Sequence, residues 1–131
     1  MKNTLFFTLS LFIFISLTAC NSTNSFSTDE ILGIGRSTVH NEVRFEHTTD
    51  KKKIRTISKI FNKKEWIANK SFDPIGKDPD VVFIINKSDE GSPSLRVSIF
   101  YNEQGADVLN IRGEYTSLNK EEVAIIRKIT V

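Results

Sequence analysis

The sequence is poor in the residues that build metal and redox sites: it has one cysteine, Cys20, and two histidines, His40 and His47. A single cysteine excludes an intrachain disulfide, a redox pair and a cysteine-based zinc site. The two histidines are seven apart on a predicted strand, so they face opposite sides about 23 Å apart at ~3.3 Å per residue. We therefore predict two ordinary surface histidines, no metal site and no cofactor.

Motifs for catalysis are also missing. There is no Gly-x-Ser-x-Gly elbow, and Gly33-Ile34-Gly35 lacks the third glycine of a nucleotide-binding loop. We interpret this glycine pair as a hinge between a tether and a domain. Asp73, Asp78 and Asp80 lie around prolines without the spacing of a calcium loop, which favours a solvated turn over an oxygen-rich cation site. The sequence predicts no catalytic residues and therefore no enzyme.

Charge is unevenly distributed, although the net charge of the chain is only +2. Residues 36–70 contain ten basic and four acidic residues, whereas residues 71–112 contain four basic and seven acidic ones. This asymmetry affects how a domain orients near a charged surface more than how it folds.

The first 19 residues have the composition of an export signal. Lys2 is followed by the uncharged, mostly apolar residues 5–17, which as a helix would span about 20 Å, short of the ~30 Å hydrocarbon core of a bilayer. We predict a signal peptide over residues 1–19, cleaved before Cys20. An uncleaved membrane helix from Thr4 to Ala19 and ordinary cleavage without a lipid are the alternatives.

The end of this segment, Leu17-Thr18-Ala19-Cys20, resembles the lipobox of bacterial lipoproteins. The resemblance implies a diacylglycerol on Cys20 and a location on the extracytoplasmic face of the cell membrane. Two acyl chains hold a protein firmly, whereas one chain binds only marginally. The polar residues after Cys20 predict a flexible tether over residues 20–35, followed by a single domain over residues 36–131.

Alternating residues predict that Val39–His47 is a strand, with Val43 and Phe45 facing the core. Asp50 caps a predicted helix that ends near Asn62. Its buried stripe consists of Ile54, Ile57 and Phe61.

The second half of the domain contains three predicted strands, over residues 81–85, 95–101 and 106–111. Residues 66–72 are ambiguous and include a candidate edge strand. The chain ends in a predicted helix that Asn119 caps and Glu122 closes as a capping box. Its buried stripe is Val123, Ile126 and Ile129.

These elements predict an α+β fold in the order β-α-(β)-β-β-β-α, with a mainly antiparallel sheet of about four to five strands and two helices packed on it. The lipobox, the isoleucine-rich helix, the apolar strand pair and the helix opening Leu118–Glu122 make the chain similar to the YhfM-like small lipoproteins of bacilli. That resemblance implies no catalytic residues.

The first predicted helix begins with Lys51-Lys52-Lys53, where positive charge opposes the helix dipole. With the other cations of this region they are candidates for contact with an anionic surface; the alternative is a solvated charged face. The set is Lys51, Lys52, Lys53, Arg55, Lys59, Lys63 and Lys64. Three aromatics do not fit the core pattern, namely Trp66, Phe100 and Tyr115, and for Phe100 we favour a covered position over an exposed binding patch.

These observations favour a non-enzymatic, membrane-anchored domain that binds an envelope protein or an anionic polymer. The alternatives are an envelope enzyme, a small-ligand or metal carrier with a site built from scattered residues, and an inhibitor of a partner enzyme. Nucleic acid is not expected as a partner because the domain lies outside the membrane.

Overall fold

The computed structural model describes residues 29–39, 42–68 and 71–131. The predicted leader, the lipobox with Cys20, and His40 lie outside these residues. Six antiparallel strands form one sheet in the order β2-β1-β3-β4-β5-β6. The elements are β1 Glu30–Ser37, β2 Val43–Thr48, α1 Lys51–Asn62, β3 Val81–Lys87, β4 Leu95–Asn102, β5 Gly105–Asn110, β6 Tyr115–Leu118 and α2 Lys120–Ile129.

The predicted α+β class is confirmed, but the sheet has two strands that the prediction lacked. β1 pairs with β2 on one side and β3 on the other, and its residues Leu32 and Ile34 are buried. The tether predicted to run to residue 35 is therefore wrong for residues 30–35. Polar residues precede this segment, but Leu32 and Ile34 alternate with Gly33 and Gly35 in the buried middle of β1.

Both glycines lie within β1, so their interpretation as a hinge is also wrong, and a close cross-strand contact explains Gly35. Gly35 lies opposite Phe45. A Cβ atom at Gly35 would be 2.6 Å from Val43 Cγ1 and 2.7 Å from Phe45 Cε1. The absence of a side chain at Gly35 lets the ring of Phe45 lie over the β1 backbone.

The first predicted strand is shorter than expected and faces the other way. β2 begins at Val43, and Val39 is exposed before it. Ile34, on the core face, lies opposite Glu46, whereas Phe45 lies opposite Gly35. Val43 and Phe45 therefore lie on the sheet face opposite the helices. Alternation of apolar and polar residues separates the two faces of a strand but does not show which face the helices cover. At this edge of the sheet the exposed Arg44 and Glu46 lie on the helix side.

Both helices have the predicted bounds and caps. The backbone N–H groups of Lys52 and Lys53 donate to Asp50 Oδ1 at 2.9 and 3.2 Å. Asn119 and Glu122 form the predicted capping box at the start of α2. The apolar stripes of both helices pack on one face of the sheet. In the resulting core, α1 contributes Ile54, Ile57 and Phe61, and α2 contributes Val123, Ile126 and Ile129. The strands contribute chiefly Leu32, Ile34, Val81, Phe83, Ile85, Val97, Ile99 and Val108.

A loop covers part of the opposite face. The Phe72 ring lies 5.2 Å from Phe100 and 6.2 Å from Tyr115, measured between ring centroids. Phe100 is buried, as expected of a covered position. Trp66 stacks on Phe61 at 6.3 Å, and the ambiguous segment supplies one bridge to the sheet edge, between Ile67 and Tyr115.

Candidate anion-binding cleft

A cleft of about 460 Å³ lies between α1 and one end of the sheet. At this end, hereafter the cleft end, β1 begins, β3 ends and β4 begins. The helix wall consists of Lys51, Arg55, Ser58 and Asn62, and the sheet wall includes Asp29, Glu30, Lys87 and Ser94. Ile54 and Leu95 supply apolar surface between the two walls.

The helix wall arises from the spacing of its residues. Lys51, Arg55, Ser58 and Asn62 follow one another at intervals of four, three and four, so they lie along one side of α1. This stripe borders the buried stripe that holds the helix on the sheet. Packing of the core face therefore fixes where the two cations and two polar groups point.

The helix wall is basic and the sheet wall is on balance acidic, but in the described part of the chain no ion pair connects the two walls. Within the part of the chain that the structure describes, no ion pair joins Lys51 or Arg55 to an acid. Lys87, on the sheet wall, approaches Glu90 at 3.8 Å. The cations of the helix wall are therefore available to a ligand, whereas Lys87 shares its charge with a neighbour.

The seven predicted cations do not form one surface. Lys53 Nζ donates to the carbonyl of Ile129 at 3.4 Å, and Lys64 Nζ forms an ion pair with Glu122 at 2.7 Å. These two side chains connect α1 and the residues after it to α2, so the prediction of an anionic contact does not fit them. The remaining cations divide between the cleft wall, with Lys51 and Arg55, and an exposed stripe of Lys52, Lys59 and Lys63.

The helix wall of the cleft suits an oxyanion better than a metal ion, whereas the sheet wall adds the carboxylates of Asp29 and Glu30. Ammonium and guanidinium groups beside hydroxyl and amide donors match phosphate or carboxylate oxygens. Over the described residues, no group of three or more His, Cys, Asp or Glu side chains is arranged to hold a metal. In the loop of acids, Asp73 and Asp80 accept backbone hydrogen bonds from Ile75 and Tyr101 at 2.9 and 2.7 Å.

Sequence reasoning missed the polar half of the cleft. Ser58 and Asn62 carry a usable signal, because they extend the Lys51–Arg55 stripe at helical spacing. The sequence predicts a tether over Asp29 and Glu30, and a tether has no predicted position beside α1. Lys87 and Ser94 reach the cleft only through the pairing of β3 with its neighbours.

No family model, curated protein or solved structure matches the chain. None of the helices in the described ranges is long and apolar enough to cross a membrane. The functional argument for the cleft therefore depends on the chemistry of its lining residues and on its position beside the start of β1.

Proposed function

We propose that this protein is a non-enzymatic, lipid-anchored domain of the bacterial cell envelope whose cleft end binds anionic groups at the membrane surface. One observation carries the proposal: Asp29, which directly precedes β1, itself lines the cleft. The segment that follows the lipobox cysteine thus joins the domain beside Lys51 and Arg55. A lipid on Cys20 would hold these cations toward the bilayer.

The length of the connecting segment supports this orientation. Asp29 is nine positions after Cys20, and nine steps of ~3.3–3.6 Å reach at most about 32 Å. An anchored domain would therefore stay close to the headgroups, with the cleft end nearest to them.

Electrostatics at the start of α1 supplies the attraction, because Lys51, Lys52 and Arg55 outnumber the two acids of the facing wall, Asp29 and Glu30. A basic residue near an anionic bilayer contributes about 1 kcal/mol, and the effect falls off within a Debye length of ~8 Å at physiological salt. Lys51, Lys52 and Arg55 all lie in the first turns of α1 and are exposed. Lys63 follows the end of the helix and is exposed as well. The first turns of α1 are therefore the region where we expect headgroup contact.

The anchor is tested by Cys20→Ser in the native host. We expect the variant to leave the membrane fraction or to accumulate with its leader uncleaved, because serine cannot accept the thioether-linked diacylglycerol. Ser22→Ala, two residues away, is the matched control and should fractionate like the wild type. Unchanged fractionation and an unchanged mass of Cys20→Ser would refute the anchor.

The headgroup contact is tested with the unlipidated chain 21–131 and vesicles containing phosphatidylglycerol. Lys51→Gln/Arg55→Gln should weaken binding about 30-fold at low salt, from two contacts of about 1 kcal/mol each. Lys77→Gln/Lys120→Gln removes the same charge at the other end of the sheet and should have little effect. Equal weakening by both pairs would indicate a response to net charge alone and would contradict a site at the cleft end.

The volume of the cleft favours a second candidate function, the binding of a small anionic molecule. Cavities of roughly 300–1,000 Å³ are typical of small-ligand sites, and this one falls within that range. Calorimetric titration with glycerol 3-phosphate, without vesicles, distinguishes the two functions. Saturable binding that Arg55→Gln abolishes would support a carrier, whereas binding to vesicles alone would support the surface contact.

A further inference from the structure

The strand β2 forms an open edge of the sheet. It is first in the strand order and pairs with β1 along one side only, among the strands that the structure describes. Its sequence, Val43–Thr48, contains neither proline nor glycine. Sheet edges are commonly blocked by proline, bulges, charged side chains or coverage by other elements. β2 carries the charged residues Arg44 and Glu46, so it can pair with another strand only where both charges meet opposite partners.

The hydrogen-bonding groups on the open side can be assigned from the β1–β2 hairpin. The Thr38 N–H donates to the Glu42 carbonyl at 2.8 Å, and the register places these residues opposite each other. Hydrogen-bonded residues alternate along an antiparallel pair. Arg44 and Glu46 therefore direct their backbone groups toward β1, and Val43, Phe45 and His47 direct theirs outward.

The side chains on this edge carry an unbalanced pattern of charge. Arg44 lies opposite Arg36 in the register, whereas Arg36 forms its ion pair with Glu46, at 3.6 Å. Arg44 has no acidic partner among the described residues. Arg44 and Glu46 are both exposed, so the helices leave this part of the edge uncovered.

We propose that β2 pairs antiparallel with β2 of a second copy of this chain, with Phe45 opposite Phe45 of the second copy. In this register the backbone groups of all three outward-directed residues are paired. Phe45 pairs with Phe45 of the second copy, and Val43 and His47 pair with His47 and Val43 of the second copy. Arg44 then lies opposite Glu46 of the second copy, at a position without mutual backbone bonds where side chains approach most closely. The carboxylate of Glu46 from the second copy thereby offsets the repulsion between Arg36 and Arg44, which lie opposite each other within one chain.

Charge selects this register over its neighbours. A shift of two residues in one direction places Arg44 opposite Arg44 of the second copy, and a shift in the other direction places Glu46 opposite Glu46. Like charges directly opposite each other destabilise a strand pair. A shift of one residue brings inward-directed backbone groups to the interface and removes its hydrogen bonds. The edge is therefore self-complementary in a single arrangement.

The arrangement has a two-fold axis, so the same patch of each chain contacts the other. The six-stranded sheets join into one continuous sheet, with the helices of both copies on the same side. Because the paired β2 strands are antiparallel, the cleft ends of the two copies point in opposite directions along this sheet. A dimer can therefore turn only one cleft end toward a bilayer, and pairing through β2 competes with headgroup contact by both copies. A contact made by one short edge strand buries less than a standard interface of about 1,600 Å², so we expect weak, concentration-dependent association.

The test is a charge swap in the whole chain, purified in detergent and followed by sedimentation from micromolar to millimolar concentration. The wild type should associate into dimers. Arg44→Glu should weaken dimerisation at least about tenfold, since both symmetry-related attractions become repulsions. Arg44→Glu/Glu46→Arg exchanges the charges and should restore the dimer, whereas Arg112→Glu, an exposed site elsewhere, should leave association unchanged.

Three results would overturn the proposal: a wild type that keeps the mass of one chain at every concentration, an Arg44→Glu variant that dimerises like the wild type, or a charge-swapped double variant that stays monomeric. Arg44 is exposed and faces Arg36 within its own chain, so Arg44→Glu is expected to fold. Circular dichroism of each variant checks this directly.

Discussion

Glu122 connects the capping of α2 to α1, and its replacement tests how the two helices are held together. Its Oε2 atom accepts a hydrogen bond from the Asn119 N–H at 2.9 Å and forms the ion pair with Lys64 Nζ at 2.7 Å. The side chains of Lys64 and Glu122 retain only 18% and 23% of their exposure. Solvent therefore screens this pair less than an ordinary surface ion pair.

Glu122→Ala removes both interactions and should lower the free energy of unfolding by about 2 kcal/mol, roughly half from the capping bond and half from the ion pair. For a domain of this size that corresponds to a fall of about 8–16 °C in Tm. Glu122→Gln keeps an oxygen for the Asn119 N–H but loses the charge, so we expect about 1 kcal/mol.

Thermal unfolding of the unlipidated chain, followed by circular dichroism, measures these differences. Lys64→Met, combined with Glu122→Gln in a double-mutant cycle, should give a coupling energy of about 1 kcal/mol. A coupling near zero would show that the ion pair contributes nothing. Equal losses from Glu122→Gln and Glu122→Ala would show that the capping bond contributes nothing.

Two further predictions concern a turn and a tyrosine. Gly105→Ala should cost more than about 3 kcal/mol by urea unfolding, because its Cβ would lie 1.9 Å from the Leu118 carbonyl oxygen at a φ of +143°. The control Gly76→Ala, at a φ of +75° with open space around it, should cost only about 1–2 kcal/mol, and equal losses would contradict this explanation. Burial raises the pKa of the Tyr101 hydroxyl above 10.0, and the nearby Arg127 opposes this shift. Because the unfolded chain therefore releases this proton at a lower pH than the folded chain, the free energy of unfolding should fall as the pH rises past 10. Tyr101→Phe should reduce that fall in urea midpoints measured from pH 9 to 11, and an unchanged slope would refute it.

The helices were predictable because their signals are local. Asp50 and Asn119 stand at the caps, and isoleucines recur three residues apart in each helix. The strands β3 and β4 were equally accessible from an apolar run and an alternating run. These patterns depend on neighbours in sequence, which a single chain displays in full.

What the sequence did not reveal depends on contacts between distant segments. β1 contains two glycines and follows a polar stretch, and the need for Gly35 becomes visible only in its contact with Phe45 of the neighbouring strand. β6 has four residues, too few to show a period. Likewise the helix side of the cleft could be found from spacing, whereas the sheet side depends on Asp29 and Glu30 being part of a strand.

The place where the chain joins the sheet also determines how the domain responds to force. β1 has a hydrogen-bonded strand on each side, and tension between residue 29 and a point held at the opposite end of the sheet would pull along its length. The bonds to β2 and β3 would then be loaded in shear and would have to rupture together, whereas a strand peeled from an edge loses its bonds one after another. Attachment through an interior strand therefore makes the domain mechanically resistant at the end where a tether would pull on it.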